Sequence, residues 1–224
     1  MEPARPSASA SSCTPPDNGA DTRLRILDAA ESLFVANGYA ATSLRAIARD
    51  ADVNLAATHY HFGSKEGLLS AVLKRQIQPI NDDRLRRINE LERSERPLTI
   101  RSILQAFFTP VVEGIPDTRA PALMARMFYE PDALIRPLLE ETFGEVISRF
   151  QAALSDALPG IPFDEVRWRF HFTVGSMVHL LHINAPLGTP ASRETFITGM
   201  DRLLDYAVAG MTQACPENAR ELED

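Results

Sequence analysis

TSLRAIARDADVNLAATHYHFGSKE, residues 42–66, alternates short helix-forming runs with two breaks. Thr42 and Ser43 offer a hydroxyl N-cap just ahead of Leu44, Ile47, Ala48 and Ala51, which recur at helical spacing. Asp52-Val53-Asn54 is the first break, and Asn54 is a good cap for a second helix running through about Tyr60. Gly63-Ser64 closes that helix. Ser64, with Glu66 in the following turn, opens the next. Helices this short bury little by themselves, so Ile47, Ala48, Val53 and Phe62 must pack on a neighbour. That is the pattern of a helix-turn-helix, with 54–60 as its recognition helix.

The flanking sequence extends the helical pattern in both directions. Upstream, Ile26, Ala29, Ala30, Leu33 and Phe34 share one face of a helix expected over 22–37, stopped by Asn37-Gly38. Downstream, Leu68, Leu69, Val72, Leu73 and Ile77 lead to Pro79, and apolar residues resume at Ile80, Leu85, Ile88 and Leu91. We expect one long helix there, kinked near Gln78, with a complete break as the alternative. Further helices are expected over 99–112, 122–130, from Pro137 to about 158, 164–184 and 192–214. No alternating strand pattern appears. The expected fold is all-α with about nine helices: a tail over 1–20, a three-helix head over 21–66, a larger helical domain over 67–214 and a flexible segment over 215–224.

Composition fits this. Of 224 residues, 45% are hydrophobic and 24% charged, a globular balance. No apolar run reaches the ~18 residues of a membrane helix, and the Pro/Ser/Ala-rich start has no apolar core of a secretory signal. Cys13 and Cys215 make no disulfide framework, so a cytoplasmic location is expected. The net charge of −7 is unevenly placed. Residues 21–75 hold seven Lys/Arg against six acids, and the remainder 16 against 24. The head therefore tolerates a polyanion, with weak and salt-sensitive non-specific affinity.

The ordered set Ile26-Leu27-Asp28-Ala29-Ala30, Leu33-Phe34, Gly38-Tyr39, Thr42-Ser43, Ile47-Ala48, Val53, Tyr60-His61-Phe62-Gly63-Ser64-Lys65-Glu66 and Leu68-Leu69 resembles the N-terminal domain of TetR-family transcriptional regulators. The resemblance covers about a quarter of the chain. It implies a homodimer that binds double-stranded operator DNA. Thr42 and Ser43 would meet phosphate, and Arg45 would reach a base edge. Asn54 would open the recognition helix at the DNA, and Leu55, Ala56 and Ala57 would form its tip, offering close fit and thymine-methyl contact. His59, Tyr60, His61 and Lys65 fall on backbone-contact positions. Two residues depart from the family pattern: Thr58 stands where an apolar residue is usual, and His59 where Tyr is usual. The bland alternative is that Thr58 and His61 only brace the turn.

Dimerisation is assigned to the last two helices. As the family's architecture implies, Val166, Phe170, Val174, Met177 and Leu181 would pair with Phe196, Met200, Leu203, Leu204 and Ala207 in a four-helix contact between copies; burial inside a single chain is the alternative. Phe107, Met124, Met127, Phe128, Phe143, Ile147, Trp168, His171, Phe172 and Gly175 would line an adaptable apolar pocket. Taken singly, each reads as core. LLEETFGEVISRF (138–150) and RWRFHFTVGSMVHLL (167–181) are also similar to PsrA-type members. That implies a fatty-acid or acyl-CoA effector, with Arg126, Arg136 and Arg149 as cations at the mouth. Competing readings are a sensor of aromatic or cationic drugs, using Glu113, Glu130 or Glu145, and a metal enzyme using His171, His179 and His182. No P-loop, G-x-S-x-G or H-E-x-x-H motif supports catalysis, and no cofactor is expected.

Overall fold

The computed structural model describes residues 18–94, 97–114, 123, 124, 127, 130, 132–183, 186 and 189–214. Among these lie eight α-helices and no strand: α1 (Asn18–Ala41), α2 (Leu44–Asp50), α3 (Leu55–Phe62), α4 (Lys65–Arg93), α5 (Ile100–Gly114), α6 (Asp132–Asp156), α7 (Phe163–Ile183) and α8 (Arg193–Thr212). The fold is all-α, as expected. The helix expected over 122–130 falls largely outside the described residues. So do Cys13, Cys215, Arg126, Phe128, the segment 215–224 and most of 1–20.

Three boundaries differ from expectation for local reasons. Residues 18–20 belong to α1 rather than to a tail. Helical geometry in α1 breaks at Gly38, with φ 81° and ψ 170°, a conformation side chains rarely adopt. α6 starts at Asp132 rather than at Pro137, which sits in its second turn. α4 runs unbroken through Pro79, whose exposed ring faces away from the core. Its helix survives the missing amide because both halves are pinned. Leu68, Leu69, Val72 and Leu73 are buried on the head side, and Ile77, Ile80 and Ile88 on the other.

α4 thus belongs to both halves, packing on α1 and α3 at one end and on α5 and α6 at the other. α5 is the centre of the larger half. Phe107 meets Phe150 and Phe170 edge-on, each at 5.1 Å. α7 and α8 pair closely: Gly199 leaves room for Leu180, and the Arg169 guanidinium donates to the Gly210, Met211 and Gln213 carbonyls at the end of α8.

The faces of α7 and α8 correct an expectation. Val166, Phe170, Met177, Phe196, Met200, Leu204 and Ala207 are buried in this chain's own core, and Val174, Leu181 and Leu203 are half-buried against it. The seven buried ones are thus covered within one chain, while Val174, Leu181 and Leu203 keep part of their surface open. Outward apolar side chains in the middle of these helices are instead Trp168, Phe172 and Tyr206, at 58%, 62% and 73% exposure, with Phe163 and Ile183 exposed at the ends of α7.

Candidate functional site

The head is built by short-range polar contacts that orient two helices. Ser43 Oγ accepts from the Ala46 amide at 3.1 Å and starts α2; Asn54 Oδ1 accepts from the Ala57 amide at 2.7 Å and starts α3. Between them Asp52 takes φ 51°. The Arg25 guanidinium, reaching from α1, donates to the Ala51 and Asp52 carbonyls at 3.2 and 3.3 Å. Val53 donates to Ala48 O at 2.9 Å. The turn between the two helices is therefore held from both sides.

Ser43, Arg45, Asn54, Ala56, His59 and Tyr60 are exposed, and Leu55, Ala57, His61 and Lys65 are half-exposed. Tyr60 is 86% exposed, an unusual position for an aromatic ring, and stacks edge-on to His61 at 5.1 Å. His59 Nδ1 lies 2.9 Å from Gly63 O, a spacing at which the ring donates and is oriented. Lys65 holds its ammonium 4.0 Å over the Tyr39 ring. Burial pushes its pKa down, and Glu130 and Glu66 oppose that.

Thr42 is a correction. It is 3% exposed, and its hydroxyl donates inward to Gly38 O at 2.7 Å and Leu33 O at 3.2 Å. Its side chain braces the end of α1 and cannot meet a phosphate. Thr58 is likewise buried, with its hydroxyl satisfied by Leu55 O at 2.7 Å, so it packs as an apolar residue would.

A cavity of about 490 Å³ lies in the larger half. α4 contributes Ile77, Ile80 and Arg84, and α5 contributes Phe107 and Val111. α6 adds Leu139, Phe143, Ile147 and Gln151, and α7 adds Phe170, Val174, Met177 and Leu181. Of the residues expected to line it, Phe107, Met124, Phe143, Ile147, His171 and Gly175 do so. Met127 is core. Trp168 and Phe172 are corrections: they sit on the opposite face of α7, ring beside ring at 5.8 Å, and open to solvent. Four residues expected between copies (Phe170, Val174, Met177 and Leu181) line the cavity instead. The sequence placed His171 and Gly175 at the cavity but not their neighbours, because both faces of this helix are apolar.

Two contributors, Arg84 and Gly67, escaped the sequence reading, and a third, Glu130, takes a role other than the pocket acid expected of it. Arg84 is buried at the cavity wall. Glu130 Oε1 accepts from the Tyr39 and Ala40 amides at 2.7 and 3.3 Å, tying the larger half to the head. Gly67 lies so close to the Phe62 carbonyl that a Cβ there would overlap it. Among the described residues no group of three or more His, Cys, Asp or Glu side chains could hold a metal ion. None of the described helices is long and apolar enough to cross a membrane.

Comparison with known proteins gives this architecture its family. Residues 26–72 match the family described as bacterial regulatory proteins, tetR family, and residues 105–210 match the tetracyclin repressor-like C-terminal domain. The HTH-type transcriptional regulator SrpR of Pseudomonas putida is 43% identical over 63 residues, 28% of this chain and 30% of that protein. TtgR, another HTH-type transcriptional regulator of Pseudomonas putida, is 36% identical over 93 residues, 41% and 43% of the two chains. The matched segments thus span less than half the length of these relatives. Among solved structures, NalD, described as the secondary repressor of the MexAB-OprM multidrug efflux pump in Pseudomonas aeruginosa, aligns over 87% of this chain and 97% of its own. Its TM-score is 0.64 at 21% identity. HlyIIR, a hemolysin II transcriptional regulator, aligns over 88% and 99% with a TM-score of 0.58 at 21% identity. Head and larger half match two models in the order this fold requires, and the chain belongs to the TetR family of bacterial regulatory proteins.

Proposed function

We propose that this chain is a transcriptional regulator that binds palindromic operator DNA as a homodimer and is released by a small apolar effector. The observation that carries the reading is the solvent face of α2 and α3. It presents Ser43, Arg45, His59 and an 86% exposed Tyr60 from two capped, cross-braced helices. Arg45 pairs with a guanine edge, Tyr60, His61 and Lys65 hold the backbone, and Ala56 and Ala57 let the helix approach closely. One head reads few base pairs, so specificity requires two. Trp168, Phe172 and Tyr206 supply the apolar face on which a second copy docks.

The cavity supports an apolar effector, of the long-chain fatty-acid or acyl-CoA class. The cationic-drug reading has less support. Glu113 is exposed and paired with Arg87 at 2.5 Å, and Glu130 is taken by the head's amides. For an acyl-CoA, Arg136 stands at the cavity, whereas Arg149 is engaged by Glu92. The effector acts by favouring a dimer whose heads no longer fit consecutive major grooves.

Selection of bound duplexes from a random DNA pool tests the reading. The expected product is an inverted repeat with half-sites about 34 Å apart, or a multiple of that. Arg45→Ala should erase preference at one base position per half-site, a loss of about 1–3 kcal/mol. Enrichment of no sequence would overturn the proposal.

A further inference from the structure

Arg84 sits on α4 with only 2% of its surface exposed, at the wall of the cavity. Its Nε donates to Phe107 O at 2.9 Å and Nη1 to Asn81 Oδ1 at 3.2 Å. Nη2 faces only the Met177 sulfur, at 3.8 Å. A thioether is a weak acceptor. The guanidinium also lies 3.9 Å over the Phe107 ring. Of its five N–H donors, one on each terminal nitrogen therefore has no acceptor among the described residues.

No described carboxylate forms an ion pair with it, whereas Arg75, Arg86 and Arg87 on the same helix each pair with an acid. Glu140 and Arg136 also line the cavity, but both are exposed, one turn apart on α6. Desolvation alone pushes the Arg84 pKa down, to about 9. Even so, the group remains cationic near neutral pH. A buried charge with unused donors and no counter-ion is costly to keep, and a bound anion relieves that cost.

We propose that Arg84 is the inner anchor of the effector site and that the effector is an apolar acid, its single carboxylate paired with this guanidinium and its hydrocarbon body against Ile77, Phe143, Ile147 and Val174. The inference rests on the cavity being an effector site and specifies what enters it. A carboxylate accepts from the remaining N–H groups of Nη1 and Nη2, in the charge-assisted pairing guanidinium favours. The apolar remainder fills a volume within the ~300–1,000 Å³ of small-molecule sites. A free acid satisfies this arrangement. A thioester has no carboxylate at that end, and a cation is repelled.

Calorimetric titration of the purified chain with matched ligands tests the assignment. Dodecanoate is compared with methyl dodecanoate and dodecyltrimethylammonium, and naphthaleneacetate with its methyl ester. In at least one pair the acid should bind about tenfold or more tighter than the ester, and the cation weakest. Arg84→Met, which keeps an apolar stem of similar length, should bring acid and ester to parity while ester binding persists. Arg84→Lys should restore part of the preference. Equal binding of acid and ester by the unaltered chain overturns the inference and leaves the apolar effector reading standing; Arg84 is then a brace between α4 and α5. Binding of none of the probes overturns both. The unaltered chain decides the matter even where Arg84→Met fails to fold.

Discussion

Tyr39 shows how one side chain ties the head together. Its hydroxyl donates to Glu66 Oε1 at 2.6 Å, and its ring lies under the Lys65 ammonium. The hydrogen bond from Tyr39 is the main reason the Glu66 carboxyl titrates below its usual value of 4.5. A carboxyl lowered in the folded state stabilises it above that value, and the contribution fades as pH falls through the folded pKa. Tyr39→Phe keeps the ring under Lys65 and removes only the donor. It should cost about 1 kcal/mol at pH 7, given how exposed the carboxylate is. The gap between the two proteins in urea denaturation should close as pH drops below 4.5; a gap unchanged at acid pH would refute this account. Such contacts were partly legible. Ser43 and Asn54 act as caps because capping is settled within three residues. Thr42 turned inward because its acceptors, Gly38 O and Leu33 O, belong to the end of the previous helix. Arg84 did leave a trace: with Ile77, Ile80 and Ile88 it follows the apolar spacing of α4. A charge in that register is worth asking about.

At the scale of elements, what matters is how closely helices approach. Gly67, in the first turn of α4, lies against the Phe62 carbonyl at the end of α3, while Gly144 in α6 has nothing near its missing Cβ. The same substitution should therefore have opposite signs at the two sites. Gly67→Ala should destabilise by about 1–3 kcal/mol, since backbone must move. Gly144→Ala should stabilise by about 0.5–1 kcal/mol through helix propensity. Thermal unfolding of both variants checks the pair, and matching signs would show that the close approach at Gly67 does not matter. Helix existence was readable because apolar residues recur at helical spacing between clear caps and breakers, most cleanly in α5, even where the amphipathic period is weak. Helix facing was not. In α7, Phe170 and Val174 face the cavity while Trp168 and Phe172 face solvent. A helix apolar all round carries no sign of which side meets its own chain.

At the scale of the whole molecule, two surfaces decide whether the parts act together. Phe172→Asp places a charge on the outward face of α7, where the chain loses only the exposed ring contacts with Trp168 and His171. It should leave the melting of the monomer's helices intact and shift sedimentation from dimer to monomer, with operator affinity falling alongside. A variant that sediments as a dimer would move the interface elsewhere. The other surface joins sensor to reader. Met124 lines the cavity, Met127 is core, and Glu130 reaches the Tyr39 and Ala40 amides beside the Gly38 turn. Gly38 eases this approach: a Cβ there would stand 3.1 Å from Glu130 Oε1 and would push that side chain aside by a few tenths of an ångström. If the cavity takes the proposed effector, Met124 at its wall and Glu130 at the head are the two described points through which its binding would reach the end of α1. Glu130→Ala removes the acceptor and leaves the Tyr39 amide, near a buried ring, without its partner. It should cost about 1–3 kcal/mol and speed hydrogen exchange at Tyr39 and Ala40. Glu130→Gln, which keeps an acceptor oxygen, should restore most of the protection. Unchanged exchange at those two amides in Glu130→Ala would mean that this carboxylate does not hold the end of α1.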